Sequence, residues 1–251
     1  MDGPVALLIH GYPESSYQWR DLMPALAKAG WRAVAPDLAG FGDSPPDPPG
    51  TWERHVESIG RFHEELGLGE VVLVVHDWGG LIGLAWACEH PDAVRGLVIS
   101  DTGFFADGKW HDLAQTMRTE GQGEELLRNL DRDGLAAMLS QATQGIDDAA
   151  INEYWRGFDG DARRQGHLDF YRSMDFEKLA PYEGRLAAIG APALILWGEN
   201  DPFAPVSGAH RFDRELPDTR LVVVEGAGHF VFEDAPEETA EAVTSFLAGL
   251  S

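Results

Sequence analysis

The sequence predicts an α/β fold, a mostly parallel sheet with helices on both faces and a block of helices inserted before the last strands. Three observations lead there. Short runs of β-branched and leucine residues alternate with helical patterns four times between Val5 and Ser100. From about Gly103 to Gly184 no strand pattern occurs and short amphipathic helices recur, after which the alternation resumes. Polar residues stand just past the ends of the strand runs, where parallel sheets carry their sites.

In chain order, Val5 to Ile9 is a buried strand that ends in the turn His10-Gly11-Tyr12-Pro13. A helix through Trp19, Leu22, Met23, Leu26 and Ala27 runs to Gly30, and Trp31 to Asp37 forms the next strand. Gly40 to Gly50 reads as a long loop, and Thr51 opens a helix whose Trp52, Val56, Ile59, Phe62 and Leu66 share one face. The strand Val71 to Val75 and the helix after Trp78 follow, stopping at His90-Pro91. Val94 to Ser100 is a fourth strand. Within the insert, helices are expected around Leu113 to Met117, Leu126 to Leu130, Leu135 to Leu139 and Ile151 to Phe158. Beyond it come the strand Ala193 to Gly198, a helix near His210 to Leu216, the strand Leu221 to Glu225 and a final helix from Pro236 to Leu250. The expected division is a core of residues 1–102 and 185–251 with a helical cap over 103–184.

Composition narrows the partners. A chain of 251 residues has ample length to bury a core, and its net charge of −23 repels nucleic acid and anionic membrane. That charge also gathers no anionic substrate, so a small neutral, apolar substrate and water are the expected partners. Cys88, the single cysteine, excludes an intramolecular disulfide and reads as a small core residue. Met1-Asp2-Gly3-Pro4 has no basic leader character, and Val5 to Ile9 is too short for a signal sequence or a membrane span. A cytoplasmic monomer or homodimer is expected, with neither metal nor cofactor.

The chemistry centres on Val71-Val72-Leu73-Val74-Val75-His76-Asp77-Trp78-Gly79-Gly80. A buried strand meets a helix of small residues through a tight turn, and Asp77 sits on that turn. Such an elbow lifts a side chain out of the sheet beside backbone N–H groups able to hold negative charge. Asp also caps helices well, which is the plainer reading. The alternative is a carboxylate nucleophile, which attacks carbon to form an alkyl ester. After Asp77 come Asp101, then the turn Glu199-Asn200-Asp201, then Gly226-Ala227-Gly228-His229, each past a strand, giving the order nucleophile, acid, histidine.

With His10-Gly11-Tyr12-Pro13 and Asp37-Leu38-Ala39-Gly40-Phe41-Gly42-Asp43-Ser44, these segments resemble the haloalkane dehalogenase and epoxide hydrolase branches of the α/β-hydrolase superfamily. The resemblance covers the whole chain. It implies that Asp77 forms a covalent ester, that His229 activates the water that hydrolyses it, and that the N–H groups of Trp78 and Tyr12 form the oxyanion hole. For the acid that orients His229 it offers Asp201, the choice made here, with Asp101 as the alternative. In dehalogenases the Trp after the nucleophile, here Trp78, donates to the halide. Tyr12 stands where one branch has an asparagine, so a second donor from the cap is expected, and Trp110 in Gly108-Lys109-Trp110-His111 is the candidate.

Epoxide hydrolases use two cap tyrosines instead. Gly166-His167-Leu168-Asp169-Phe170-Tyr171-Arg172 resembles the second tyrosine's segment, but the early cap has no tyrosine. Dehalogenation is therefore preferred, with epoxide hydrolysis through Tyr171 as the alternative and a non-catalytic ligand-binding homologue a distant third. A fluoroacetate-type site is disfavoured, because Trp78 and Leu81 stand where arginines would clamp a carboxylate. The family has two strands before His-Gly where only nine residues precede His10, so those strands are expected to be missing and the Trp31 strand to lie at the sheet edge.

Overall fold

The structure is a computed structural model that describes residues 3–250; Met1, Asp2 and Ser251 lie outside the described residues. Six strands form one sheet: β1 (Val5–Ile9), β2 (Arg32–Val34), β3 (Val71–His76), β4 (Val94–Ser100), β5 (Ala193–Gly198) and β6 (Thr219–Val224). Their order is β2-β1-β3-β4-β5-β6, every pair parallel. The alternation of strands and helices requires this, because each crossover must return the chain to the same end of the sheet. β3 is buried at all six positions, and β2 is half-buried at the edge, where the sequence placed the Trp31 strand.

Side-chain alternation divides the interior into two layers. On one face Leu7, Ile9, Leu73, Val75, Ile99, Ile195 and Trp197 pack with α2 (Trp52–Glu65), α3 (Trp78–Glu89) and α10 (Ser207–Glu215). On the other, Ala6, Leu8, Val72, Val74, Val98, Leu194 and Leu196 pack with α1 (Leu22–Lys28), α11 (Val231–Asp234) and α12 (Pro236–Ala248). Cys88 lies in this interior, its thiol pushed up to about 12 by burial, so it is inert packing.

Between β4 and β5 the chain forms α4 (Asp112–Arg118), α5 (Gln122–Asn129), α6 (Arg132–Leu139), α7 (Asp148–Trp155), α8 (Asp161–Ser173) and α9 (Arg185–Ala188). Several of their starts are capped by side chains: Asp131 accepts from the N–H of Gly134 and Asp147 from that of Ala150, each at 2.8 Å. Buried polar contacts fasten them to the core. Glu233 accepts from the Tyr154 hydroxyl and from Arg20, whose guanidinium lies 2.6 Å away.

Two details depart from the sequence reading. The helix expected through Trp19 to Ala27 is broken into a 3-10 turn, Ser16–Trp19, and α1, because the Ser15 hydroxyl caps the first piece and Pro24 is accommodated only in a fresh first turn. And α8, 13 residues long, gave no helical signal. Its buried face consists of His167, Leu168, Phe170 and Tyr171 on an otherwise polar segment, too thin a stripe to read.

The glycines of α3 set how closely that helix meets the sheet. A Cβ on Gly79 would stand 2.1 Å from the Ile9 carbonyl oxygen, a backbone atom that cannot move away. In α2 a Cβ on Gly60 would meet Trp86 at 3.6 Å, an ordinary contact. Opposite outcomes are therefore expected from the same substitution. Gly79→Ala should destabilise by about 3 kcal/mol, the upper range for forced overpacking. Gly60→Ala should stabilise by about 0.5–1 kcal/mol, a rise of roughly 2–4 °C in Tm at the upper end. Thermal melts of the two variants check this.

Candidate active site

The strand β3 delivers Asp77 at φ 46° and ψ −120°, a region that non-glycine residues rarely occupy. Neighbours hold it there. The Asp77 carbonyl accepts from the Thr102 hydroxyl at 2.6 Å and from the N–H of Gly80 at 2.8 Å, and its own N–H donates to the Ser100 carbonyl at 3.3 Å. The side chain makes no capping bond to α3. It turns instead toward the turn after β1, where Asp77 Oδ2 accepts from the N–H of Tyr12 at 2.9 Å. The N-terminus of α3 lies behind it.

His229 approaches from the loop after β6. Its N–H donates to the Ala142 carbonyl at 2.9 Å, and the N–H of Gly228 donates to Asp234 at 2.7 Å, so the loop is pinned on both sides of the ring. Its Nδ1 meets Asp201 Oδ2 at 2.8 Å, and its Nε2 lies 3.7 Å from Asp77 Oδ1. A proton on Nδ1 bonded to Asp201 leaves the Nε2 lone pair facing the Asp77 carboxylate. Burial disfavours charge on Asp201, but His229 and the N–H groups of Phe203 and Ala204, at 2.7 and 2.9 Å, hold it below the usual carboxylate range. For His229 burial acts downward, yet Asp201 and then Asp77 raise it above the ordinary histidine value.

Of the two acids offered by the sequence, the structure bonds Asp201 to His229. Asp101 does not touch the ring. Its Oδ1 accepts from the N–H of Gly198 at 2.9 Å, its Oδ2 has no protein donor, and its backbone is also left-handed, with φ 43°.

Two cavities meet at Asp77. The larger, about 300 Å³, is walled by Trp78, Leu81, Trp110, Phe176 and Phe203; the smaller, about 30 Å³, by Tyr12, Tyr171, His111 and His229. Trp78 and Trp110 stack with centroids 5.4 Å apart and planes inclined by 22°. The Trp110 indole N–H is buried without an acceptor, and the Arg118 guanidinium lies 5.2 Å from its ring centre. The Tyr171 ring meets Trp78 edge-on with centroids 5.0 Å apart, a contact that sequence reasoning did not foresee. The ring of Tyr12 packs edge-on against Tyr171 at 4.9 Å.

Sequence reasoning also missed three residues. His111 borders both cavities; its Nδ1 accepts from the N–H of Ala114 at 3.3 Å, so the ring proton sits on Nε2, and burial lowers its pKa. No spacing marks it, since a cap loop is placed only by tertiary packing. His76 and Glu14 form a fully buried pair at 2.8 Å beneath the elbow. The second ring nitrogen of His76 meets the His229 carbonyl at 2.9 Å. With an acceptor at each nitrogen the ring carries both protons. Burial opposes this, and Glu14 overrides it, raising His76 to about 10. The pair ties the elbow strand to both loops that frame the site, because Glu14 also accepts from the N–H of Gly11.

Among the described residues no cluster of side chains could hold a metal ion, and no helix is long and apolar enough to cross a membrane. The alpha/beta hydrolase fold family matches residues 4–236. A haloalkane dehalogenase of Mycobacterium marinum is 34% identical over 98% of this chain and 85% of its own length. Epoxide hydrolase 3 of Siraitia grosvenorii is 28% identical over 98% of this chain and 92% of its own. The crystal structure of a haloalkane dehalogenase from Bradyrhizobium elkani USDA94 superposes with a TM-score of 0.88 at 26% identity, over 99% of this chain and 91% of that one. A parallel sheet of this order, a strained Asp elbow facing a histidine and an acid, and relatives matched along nearly the whole chain converge on one assignment: the protein is a hydrolase of the α/β-hydrolase fold family, in its haloalkane dehalogenase and epoxide hydrolase branch.

Proposed function

We propose that the protein hydrolyses small haloalkanes to alcohol and halide through an alkyl ester on Asp77. The observation that carries this reading is the approach of His229 Nε2 to within 3.7 Å of the Asp77 carboxylate, with Asp201 on the far side of the ring. Asp77 Oδ1 attacks the carbon bearing the halogen, a C–O bond forms, and the C–X bond breaks to release halide. His229 then takes a proton from water while the water oxygen attacks Asp77 Cγ. The tetrahedral oxyanion falls to the N–H of Tyr12, already on Asp77 Oδ2, joined by that of Trp78. On collapse His229 returns its proton to the departing alkoxide, the alcohol leaves with what was Asp77 Oδ1, and the new carboxyl, one of whose oxygens derives from water, loses its proton to solvent. The unpaired N–H of Trp110 in the larger cavity supports a halide site, since a buried donor without an acceptor is costly until an anion supplies one.

One residue favours a second reading. Tyr171 lines the smaller cavity beside Asp77, where an epoxide oxygen would need a proton, and burial keeps its hydroxyl protonated. On that reading the same ester on Asp77 yields a vicinal diol.

Three outcomes test the proposal. His229→Phe should accumulate a covalent adduct on Asp77, seen as a mass increase of the intact protein after exposure to a bromoalkane, while Asp77→Ala forms none and loses turnover. Absence of the adduct with every substrate that the wild type consumes refutes the ester. Trp110→Phe should weaken bromide binding, read by tryptophan quenching, by about 2–10-fold for the loss of one hydrogen bond, and leave the fold intact. Diol formation from styrene oxide that exceeds halide release, and that vanishes in Tyr171→Phe, would select the second reading.

A further outcome concerns pH. Asp77 is one of the charges that raise His229, and esterification removes that charge, so the His229 pKa must fall in the intermediate. Hydrolysis of the ester needs neutral His229 and slows as the pH drops through this lowered value. Its midpoint in single-turnover hydrolysis should lie below the imidazole pKa of the free enzyme measured by NMR; an equal or higher midpoint contradicts the mechanism.

A further inference from the structure

Asp101 is a buried acid that the proposed reaction does not use. It is fully buried, and among the described residues its only hydrogen bond is the one from Gly198, on the strand that leads to Asp201. Its second oxygen, Oδ2, meets no N–H or hydroxyl donor. Its backbone holds φ 43°, so the side chain is aimed by strain rather than by default. The carboxyl lies within hydrogen-bonding reach of the carboxyl of Asp201.

Two carboxylates in contact in a dry site cannot both be charged at neutral pH. Asp201 keeps its charge, because two backbone N–H groups and His229 all donate to it. Those three donors leave room on its oxygens for one more. We propose that Asp101 is a positioning residue, a neutral carboxylic acid whose hydroxyl donates to Asp201 and so completes the acid that orients His229. This deepens the reading above and rests on Asp201 in that role.

The arrangement has a chemical consequence. A donor on Asp201 disperses its charge and limits how far it raises the His229 imidazole, which must be neutral to accept a proton from water. A second anion in place of the neutral acid would push His229 further up and idle it as imidazolium. Burial and the charge of Asp201 both raise the Asp101 carboxyl far above the usual range, against the pull of His76 and the Gly198 N–H. His76, balanced by Glu14, faces Asp101, and His229 faces Asp201.

Asparagine reproduces a neutral donor at position 101 and tolerates a left-handed backbone, whereas alanine removes the donor. In single-turnover hydrolysis of the Asp77 ester, Asp101→Asn should stay within about threefold of wild type with an unchanged pH profile. Asp101→Ala should slow by about tenfold or more and shift its acid limb upward by about half a pH unit, with folding checked by circular dichroism. Independently of turnover, carboxyl ¹³C NMR of the aspartate-labelled enzyme at neutral pH should show one protonated carboxyl that Asp101→Asn removes. Absence of that signal, or Asp101→Asn as impaired as Asp101→Ala, overturns the proposal. Asp201→Asn, run alongside, should lose roughly 10⁴-fold in ester hydrolysis, by analogy with the acid of a serine-protease triad. Undiminished hydrolysis there would refute the role of Asp201 and the positioning role with it, whereas a missing adduct in His229→Phe would refute the ester alone.

Discussion

The site depends on one close approach. α3 can begin at Trp78 only because Gly79 brings its backbone against the Ile9 carbonyl and Gly80 against Thr102, where any Cβ would overlap. That contact forces the chain from strand to helix within one residue, and the residue so strained is Asp77. Strain of this kind costs about 1–3 kcal/mol and persists where the surrounding structure overdetermines it. Here Thr102, Gly80 and Ser100 fix the Asp77 backbone from three sides. A rigid carboxylate loses little freedom when it reacts, which is where a positioned nucleophile gains.

Beneath the elbow, the His76–Glu14 pair performs a second task. One side chain from β3 and one from the turn after β1 meet in the interior; the second ring nitrogen of His76 reaches the His229 carbonyl, and the Glu14 oxygen that meets His76 also accepts from the Gly11 N–H. The loop that carries Tyr12 and the loop that carries His229 are thereby referred to the same buried pair. Removal of either partner would leave a lone charge in a site without water, a far larger penalty than the pair's net contribution. Its value lies in registration of the two loops rather than in stability alone.

The residues proposed above to receive a leaving group, Trp110 and Tyr171, both lie in the helical segment between β4 and β5. Trp110 stacks on Trp78 with its indole N–H unpaired, Tyr171 meets Trp78 edge-on, and the two rings lie 6.2 Å from each other. Asp77 stands between a larger cavity on the tryptophan side and a smaller one on the tyrosine side.

The sheet, its parallel sense and the elbow were legible in the residues. Runs such as Val71 to Val75 bury both faces of a strand, and the glycines after Trp78 announce a helix packed hard against it, so local pattern and global fold demand the same thing. The positions of Asp77, of His229 and of two acids at strand ends were legible as well, because each follows a strand and a parallel sheet brings strand ends together. Between Asp101 and Asp201 the strand pattern left both open and the resemblance alone favoured Asp201. Both follow a strand and both are buried, and only the folded chain puts Asp201 on His229 and Asp101 on Gly198. Tertiary structure likewise decided α8, His111 and the contact between Trp78 and Tyr171. These residues lie in or against a cap whose thin apolar stripes fix no orientation, so packing against the core, a property of the folded chain, decides which of them face Asp77.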